Sequence, residues 1–560
     1  MREAPSPVQR AIVDDEEQLL ALNLERLAKP RPETQIDFAG IHAEMASLRD
    51  QIRDADHDER PHILMMYERL GHILDQAGKS ADEGRIDPGR PYFGHLRLEE
   101  NGRQREVFLG KATRLDNGLR IVDWRHAPVS RIFYRLAEGD EYDEDYGDRE
   151  VSGQVLARRT LGISEGRLMR VQSPQGLLVR GDEDWASFGS DSPRLQGGEG
   201  SAFWIRHEDA VSQRLGSGAA YRVDKHLPEI SALIDPQQWK LITADDAELV
   251  VIRGVAGSGK TTVALHRLAY LAYKDRRRFR PDRMLVVVWG EALRRFIGRV
   301  LPDLGVRGTP VRTWGFWARE LRERLLPFLP THQSDDTPAV VTAIKLHPAM
   351  LRILEEHVVG TPGPRTVQQV FEDWMAVITD LGGLEAGFAR YAPGAFAKAE
   401  LDRFVGWTSR QLDLVDDHMH PEPTEGPDED EEADEVHREA FLDAEDDPLL
   451  LRLYQLRVGP LPARGRSGPP LRYQHLVVDE VQDLSPLEVR VLMDCVDSGK
   501  SITLAGDTQQ HVLQEAGFTS WEEFFGHLGV RGTAISTLKV AYRSTRPIVA
   551  FARSILGHLA

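Results

Sequence analysis

The period of the apolar positions changes several times along the chain. From Asp14 to Ala28, Leu19, Leu20, Leu22, Leu24 and Leu27 mark a helix that stops before Pro30. Ile41, Met45, Leu48 and Ile52 keep helical spacing, and after the charged turn from Asp54 to Glu59, Pro61 opens a second segment bearing Ile63, Met66, Leu70 and Ile73. This predicts an N-terminal helical hairpin over residues 1–90, either an antiparallel coiled coil or an ordinary packed helix pair. Between Pro91 and about Gln172 the texture shifts to short alternating runs, VFLGKATRLDNGLRIVDW and VSRIFYRL, broken by Asn117-Gly118 and Gly139. A small β-rich module over 91–200 is expected there, with helices resuming across Ala202 to Leu233.

Further on, compact apolar runs alternate with helical patterns: LVVIR (249–253), MLVVVW (284–289), HLVVDE (475–480) and ITLAG (502–506). Runs of this kind suit strands buried on both faces, so the fold class is α/β with a parallel sheet and helices on both faces. Almost 200 residues separate the second run from the third, and 316–460 has helical spacing. A large helical insertion at 316–460 therefore divides one α/β domain into parts at 201–315 and 461–560. No fixed-period repeat is evident.

Composition sets limits. The chain has 560 residues, 41% of them hydrophobic, enough for several cores. No run approaches the roughly 18 apolar residues of a membrane span, and the N-terminus lacks the apolar stretch of a secretory signal, so no membrane partner and a cytoplasmic location are expected. The single cysteine, Cys495, lies among Val491, Leu492, Met493 and Val496 and reads as packed interior. Net charge is −19, but residues 421–447 hold 14 acidic residues against Arg438 alone and supply −13 of it. An acidic total therefore leaves nucleic acid open as a partner for the remaining surface.

The strand LVVIR runs into Gly254-Val255-Ala256-Gly257-Ser258-Gly259-Lys260-Thr261, followed by the helical pattern TVALHRLAYLAY. A G-x-x-x-x-G-K-T segment between strand and helix is the arrangement that closes backbone N–H groups around phosphates. Gly254, Ala256, Gly257, Ser258, Gly259, Lys260, Thr261 and Thr262 are the candidate nucleotide-binding residues, with Lys260 as point charge and the Thr261 hydroxyl on Mg²⁺. A second anchor for the metal is expected from a neighbouring buried strand, and LVVDEVQD supplies it: Asp479 toward Mg²⁺, and Glu480 to accept a proton from the attacking water.

DEVQD, GVAGSGKTT, Gly506-Asp507-Thr508-Gln509-Gln510 and Ala541-Tyr542-Arg543-Ser544 together resemble the UvrD/Rep group of superfamily 1 helicases, over about residues 234–551. The resemblance implies a P-loop NTPase with a RecA-like sheet, ATP and Mg²⁺ as cofactors, Gln510 sensing the γ-phosphate and Arg543 contacting it. It also implies Tyr542 stacking on adenine and Gln238 reading the adenine edge; the alternative for Gln238 is a surface-exposed helix start. VAGSGKTTVALHRLAYL, RPYFGHLRLEE, VDWRHAPVSRIFY and the N-terminal hairpin resemble the HelD-like branch, which frees bacterial RNA polymerase from stalled or nucleic-acid-bound states. The chain departs from that branch at His126, at Trp289-Gly290-Glu291-Ala292 and at Ala541. His126, with no second histidine or cysteine at metal spacing, and the aromatics Trp124 and Tyr134 read as packing residues.

The resemblance therefore implies an ATP-dependent factor that remodels or recycles RNA polymerase. The acidic stretch 421–447 and the hairpin tip are then either nucleic-acid mimics for polymerase channels or solvated linkers. The alternatives are a UvrD-like DNA helicase translocating on single strands and a catalytically silent nucleotide-binding module. The motifs run only through those of a first RecA-like domain, and no arginine finger from a second follows. Nucleotide binding with weak turnover is thus expected of the chain alone, since such a finger contributes about 10³ to 10⁵ in rate.

Overall fold

A computed structural model describes residues 2–30, 86–100, 102–125, 127–145, 150–181, 184–188, 234–244, 249–254, 258–420, 440–507, 521–530 and 535–538, with a few positions between 44 and 51. Two compact units emerge, one of residues 1–194 with 199–239, the other of 195–198 with 240–560. Most of the expected hairpin and the stretch 202–233 lie outside the described residues.

In the first unit the helix Pro7–Ala28 begins with a capping box between Ser6 and Gln9, with Pro7 at its first position. A sheet follows, built from β1 (Arg2–Glu3), β2 (Gly94–Glu100), β3 (Arg103–Gly110), β4 (Ile121–Asp123), β5 (Glu141–Asp145), β6 (Glu150–Ser164), β7 (Arg167–Ser173), β8 (Gly176–Arg180) and β9 (Trp185–Phe188). Its order is β1-β9-β8-β7-β6-β2-β3-β4, with β5 also paired to β6. Asn117 and Gly118 both adopt left-handed backbone, and Leu119 N–H closes the turn onto Asp116 O at 2.7 Å. This is the geometry an Asn-Gly pair favours.

The run VSRIFYRL, expected among the short alternating segments, is instead part of the helix Ala127–Arg135. Ile132, Phe133 and Tyr134 are all buried, whereas a half-buried strand of the expected alternating kind would bury only every second side chain. Trp124 and Tyr134 are core residues, Tyr134 stacked on Trp239 with ring centroids 4.5 Å apart.

A charged cluster joins the first helix to the sheet. His95 is fully buried between Glu16 and Glu106, each 2.6 Å from one ring nitrogen. Arg159 reaches both Asp15 and Glu16 at 2.7 Å, and Arg97 donates to Glu106 at 2.6 Å. Burial opposes a charge on His95, yet the two carboxylates raise its pKa above the ordinary value.

The second unit is organised by six parallel strands: β10 (Leu249–Gly254), β11 (Met284–Val288), β12 (Val311–Thr313), β13 (His475–Val478), β14 (Ile502–Gly506) and β15 (Ile535–Leu538), in the order β12-β11-β13-β14-β10-β15. β11, β13 and β14 are buried throughout, as their unbroken apolar runs require. Among the described residues, seven helices lie between β12 and β13: Trp314–Leu325, Ala339–Leu346, Ala349–Gly360, Val367–Thr379, Leu381–Tyr391, Lys398–Met419 and Asp446–Arg457. The last is buried along most of its length and is packed by the others. Cys495 is buried, its thiol pushed up to about 12 by desolvation. No described helix is long and apolar enough to cross a membrane.

The acidic stretch 421–447 does not behave as one solvated run. Residues 421–439 lie outside the described residues, but Asp443, Asp446 and Asp447 are buried. Lys345 Nζ sits 2.6 Å from both Asp443 Oδ2 and Asp446 Oδ1, and Arg322 Nε donates to Asp447 Oδ1 at 3.0 Å. Partners over 90 residues away in the sequence turn the end of the acidic run into core.

Candidate nucleotide and metal site

The start of the helix that follows β10 and the turn after β13 meet at the carboxyl edge of the parallel sheet. Gly259 takes φ +85° and ψ +20°, a left-handed conformation that L side chains resist, and caps the helix Lys260–Lys274. Ser258 and Lys260 are buried at this helix start, where exposed backbone N–H groups and the helix dipole favour an anion. Thr262 holds the next turn, its carbonyl 2.8 Å from His266 Nδ1. Gly254 is the last residue of β10, while Ala256 and Gly257 lie outside the described residues.

Thr261 Oγ1 donates to Asp479 Oδ2 at 2.7 Å across 218 residues of sequence. Asp479 is only 2% exposed, and its Oδ1 is buried without a well-formed hydrogen bond. Burial first, then the negative Glu480, push the Asp479 carboxyl up to about 6, against the favourable pull of Thr261, Lys260 and, least, the Glu480 amide. A hydroxyl and a carboxylate side by side, with one buried oxygen unspent, fit a hard divalent cation that takes its other ligands from water and phosphate. Among the described residues no group of three or more histidines, cysteines or carboxylates forms a cage of protein ligands alone.

Asp479 was expected on a strand neighbouring β10. It follows β13, and β14 lies between the two. The span is bridged because β14 ends at Gly506: a Cβ there would lie 2.7 Å from Gln482 Oε1 and 2.9 Å from Val481 Cγ1. The missing side chain lets the turn after β13 close over the end of β14.

Glu480 takes φ +51° and ψ +46°, costing an L-residue about 1–2 kcal/mol. Such strain persists where surrounding contacts fix it, commonly at functional sites. Gln482, which reading of the sequence passed over, supplies contacts on both sides: Nε2 donates to Glu480 Oε2 at 2.8 Å and Oε1 accepts from Asp507 N–H at 3.0 Å. Its only signal in the sequence is its place two residues after the glutamate in DEVQD.

Gln238 belongs to the helix Pro236–Ile242, and Trp239 beside it closes the first unit. The side chain is buried rather than surface-exposed: Oε1 accepts from Asp235 N–H at 3.2 Å, and Asp235 Oδ1 accepts from Gln238 N–H at 2.8 Å. This reciprocal pair caps the helix start. Gln510, Tyr542 and Arg543 lie outside the described residues.

These features define an α/β protein whose parallel sheet gathers an anion-favouring helix start and a buried acidic turn at one edge. Residues 31–175 match the family model described as DNA helicase IV HelD, N-terminal domain. That part of the chain is HelD-like, and the match points to a helicase-related role. No curated protein matches the chain.

Proposed function

We propose that the chain is an ATP-binding, superfamily 1 helicase-like protein that serves as an ATP-dependent factor remodelling or recycling RNA polymerase. The observation that carries the ATP reading is the 2.7 Å hydrogen bond from Thr261 to Asp479, beside the unspent Asp479 oxygen and the buried Lys260. The strand order supports a RecA-like sheet, with β14 between the strand that leads into the glycine-rich segment and the one that ends at the acidic pair. Lys260 and the helix N-terminus would hold the β- and γ-phosphates, and Thr261 and Asp479 would hold Mg²⁺. Mg²⁺ would neutralise charge on the phosphate oxygens. Glu480 would orient water and accept its proton, and the resemblance would add Gln510 and Arg543 at the γ-phosphate and Tyr542 at the adenine.

The similarity of residues 31–175 to the HelD N-terminal domain agrees with the HelD-like resemblance from which the polymerase-directed role is drawn. Residues 421–439 carry ten acidic residues and one arginine, a charge suited to basic channels that hold nucleic acid. The test is binding of labelled Mg-ATP by the chain and by Lys260→Ala, with copurification of polymerase subunits with and without 421–439. The deletion stops at 439 because the acids that follow are core. No ATP binding, or no polymerase association by the intact chain, would sink the corresponding half of the proposal.

A second reading, a DNA helicase translocating on single strands, draws support from exposed aromatics following β11 and β12. Trp289 is 41% and Phe316 59% exposed, and the Arg312 guanidinium lies 5.8 Å over the Phe316 ring. Base stacking between aromatic and arginine planes suits single strands. ATPase stimulated by DNA in the absence of polymerase would favour this reading.

A further inference from the structure

We infer that Gln482 is a positioning residue that fixes the Glu480 carboxylate against the end of β14, so that one oxygen is committed to the protein and the other is presented to the attacking water. This deepens the proposed ATP hydrolysis and rests on it.

The chemistry of the two contacts decides which way the Gln482 amide faces. A backbone N–H can only donate, so the group facing Asp507 N–H must be Oε1. A carboxylate can only accept, so the group facing Glu480 Oε2 must be the NH₂. Turning the amide over would set two donors together at one end and two acceptors at the other. Gln482 is 1% exposed, so water cannot readily relieve either mismatch. The glutamine thus acts as a strut of definite polarity between β14 and a carboxylate whose own backbone is strained at φ +51°. Gly506 makes room for it: a Cβ there would run into Gln482 Oε1 at 2.7 Å.

Committing Oε2 to the Gln482 NH₂ leaves Oε1 as the oxygen for water. A carboxylate held in one rotamer keeps a general base within the short reach that proton transfer requires, and small losses of orientation cost rate more than affinity. The strut ends on Asp507, so it also links Glu480 to the strand that leads toward Gln510.

Two variants separate the halves of the strut. Gln482→Glu keeps an acceptor for Asp507 N–H but replaces the donor facing Glu480 with an oxygen; Gln482→Met removes both bonds at similar volume. Single-turnover hydrolysis of γ-labelled ATP, with protein in excess, is measured alongside ATP affinity for both variants, for Glu480→Gln and for each double variant. The expected result is a rate constant about 10- to 100-fold lower in Gln482→Glu, with ATP affinity held within about threefold. In the Glu480→Gln background the same change is expected to cost nothing further, because the group it positions is already gone. Gln482→Met, which lacks both bonds, is expected to show the same loss of rate with affinity kept, and Gln482→Glu alone decides the matter where Gln482→Met does not fold. An unaltered rate in Gln482→Glu, an affinity that falls in step with the rate, or losses that multiply in the double variant would overturn the positioning role while leaving ATP hydrolysis standing. If Glu480→Gln itself leaves turnover unchanged, the hydrolytic reading fails and takes this role with it.

Discussion

Asp446 and Asp479 are both buried aspartates of the second unit, and they are treated in opposite ways. Every oxygen of Asp446 is engaged: Oδ1 by Lys345 Nζ at 2.6 Å and Trp374 Nε1 at 3.2 Å, Oδ2 by Gln411 Nε2 at 2.8 Å and the Asp443 amide at 2.9 Å. Asp479 has Thr261 on one oxygen and no well-formed bond on the other. A saturated buried charge holds neighbouring elements together, whereas an unsaturated one keeps capacity for something the fold does not itself provide.

The largest test of this contrast is Lys345→Met, which strands two buried carboxylates. A loss of about 3–5 kcal/mol in denaturant unfolding is expected, and a loss under about 1 kcal/mol would mean that the cluster is not the anchor described. Next, Lys260→Ala is expected to weaken Mg-ATP binding at least tenfold, about 1.4 kcal/mol, with the unfolding midpoint of the nucleotide-free protein little changed. Smaller still, Asp479→Asn removes a charge that the fold compensates only in part. Without nucleotide it should raise stability by about 1 kcal/mol while abolishing the Mg²⁺ dependence of ATP binding; a loss of stability would place Asp479 with Asp446.

The first unit extends the comparison to pH. The folded pKa of His95 lies above its ordinary 6.5, so its contribution is fully present below that value and is lost as pH rises through the folded pKa. Asp15 and Glu106 have lowered values, so their contributions are lost as pH falls through their folded pKa values, below the ordinary 3.8 and 4.5. Thermal unfolding monitored on this unit should therefore weaken on both sides of a central plateau. His95→Gln should flatten the alkaline limb and also shrink the acid one, because His95 is the chief cause of the lowered Glu106 value.

Local pattern was legible in the sequence, and long-range pairing only where a motif marked both partners. β10, β11, β13 and β14 fall within a residue or two of their apolar runs, because a strand buried on both faces leaves little choice of residue. Thr261 and Asp479 come together as their residue types implied, 218 positions apart. The intervening β14 was not foreseen, since strand order depends on crossovers that no window of residues records. Nor was the burial of Asp443, Asp446 and Asp447, whose cationic partners lie 98 and 125 residues away. The helix Ala127–Arg135 was hidden for a related reason: alternation in VSRIFYRL resembles a strand until tertiary packing buries three successive side chains.

The firm seating of Asp443 to Asp447 also has an evolutionary side. It supplies a fixed abutment from which the preceding residues can lengthen, shorten or drift in sequence without disturbing the helices behind it. Related chains can therefore be expected to vary freely in that interval, while holding a lysine and an arginine opposite the aspartates that end it.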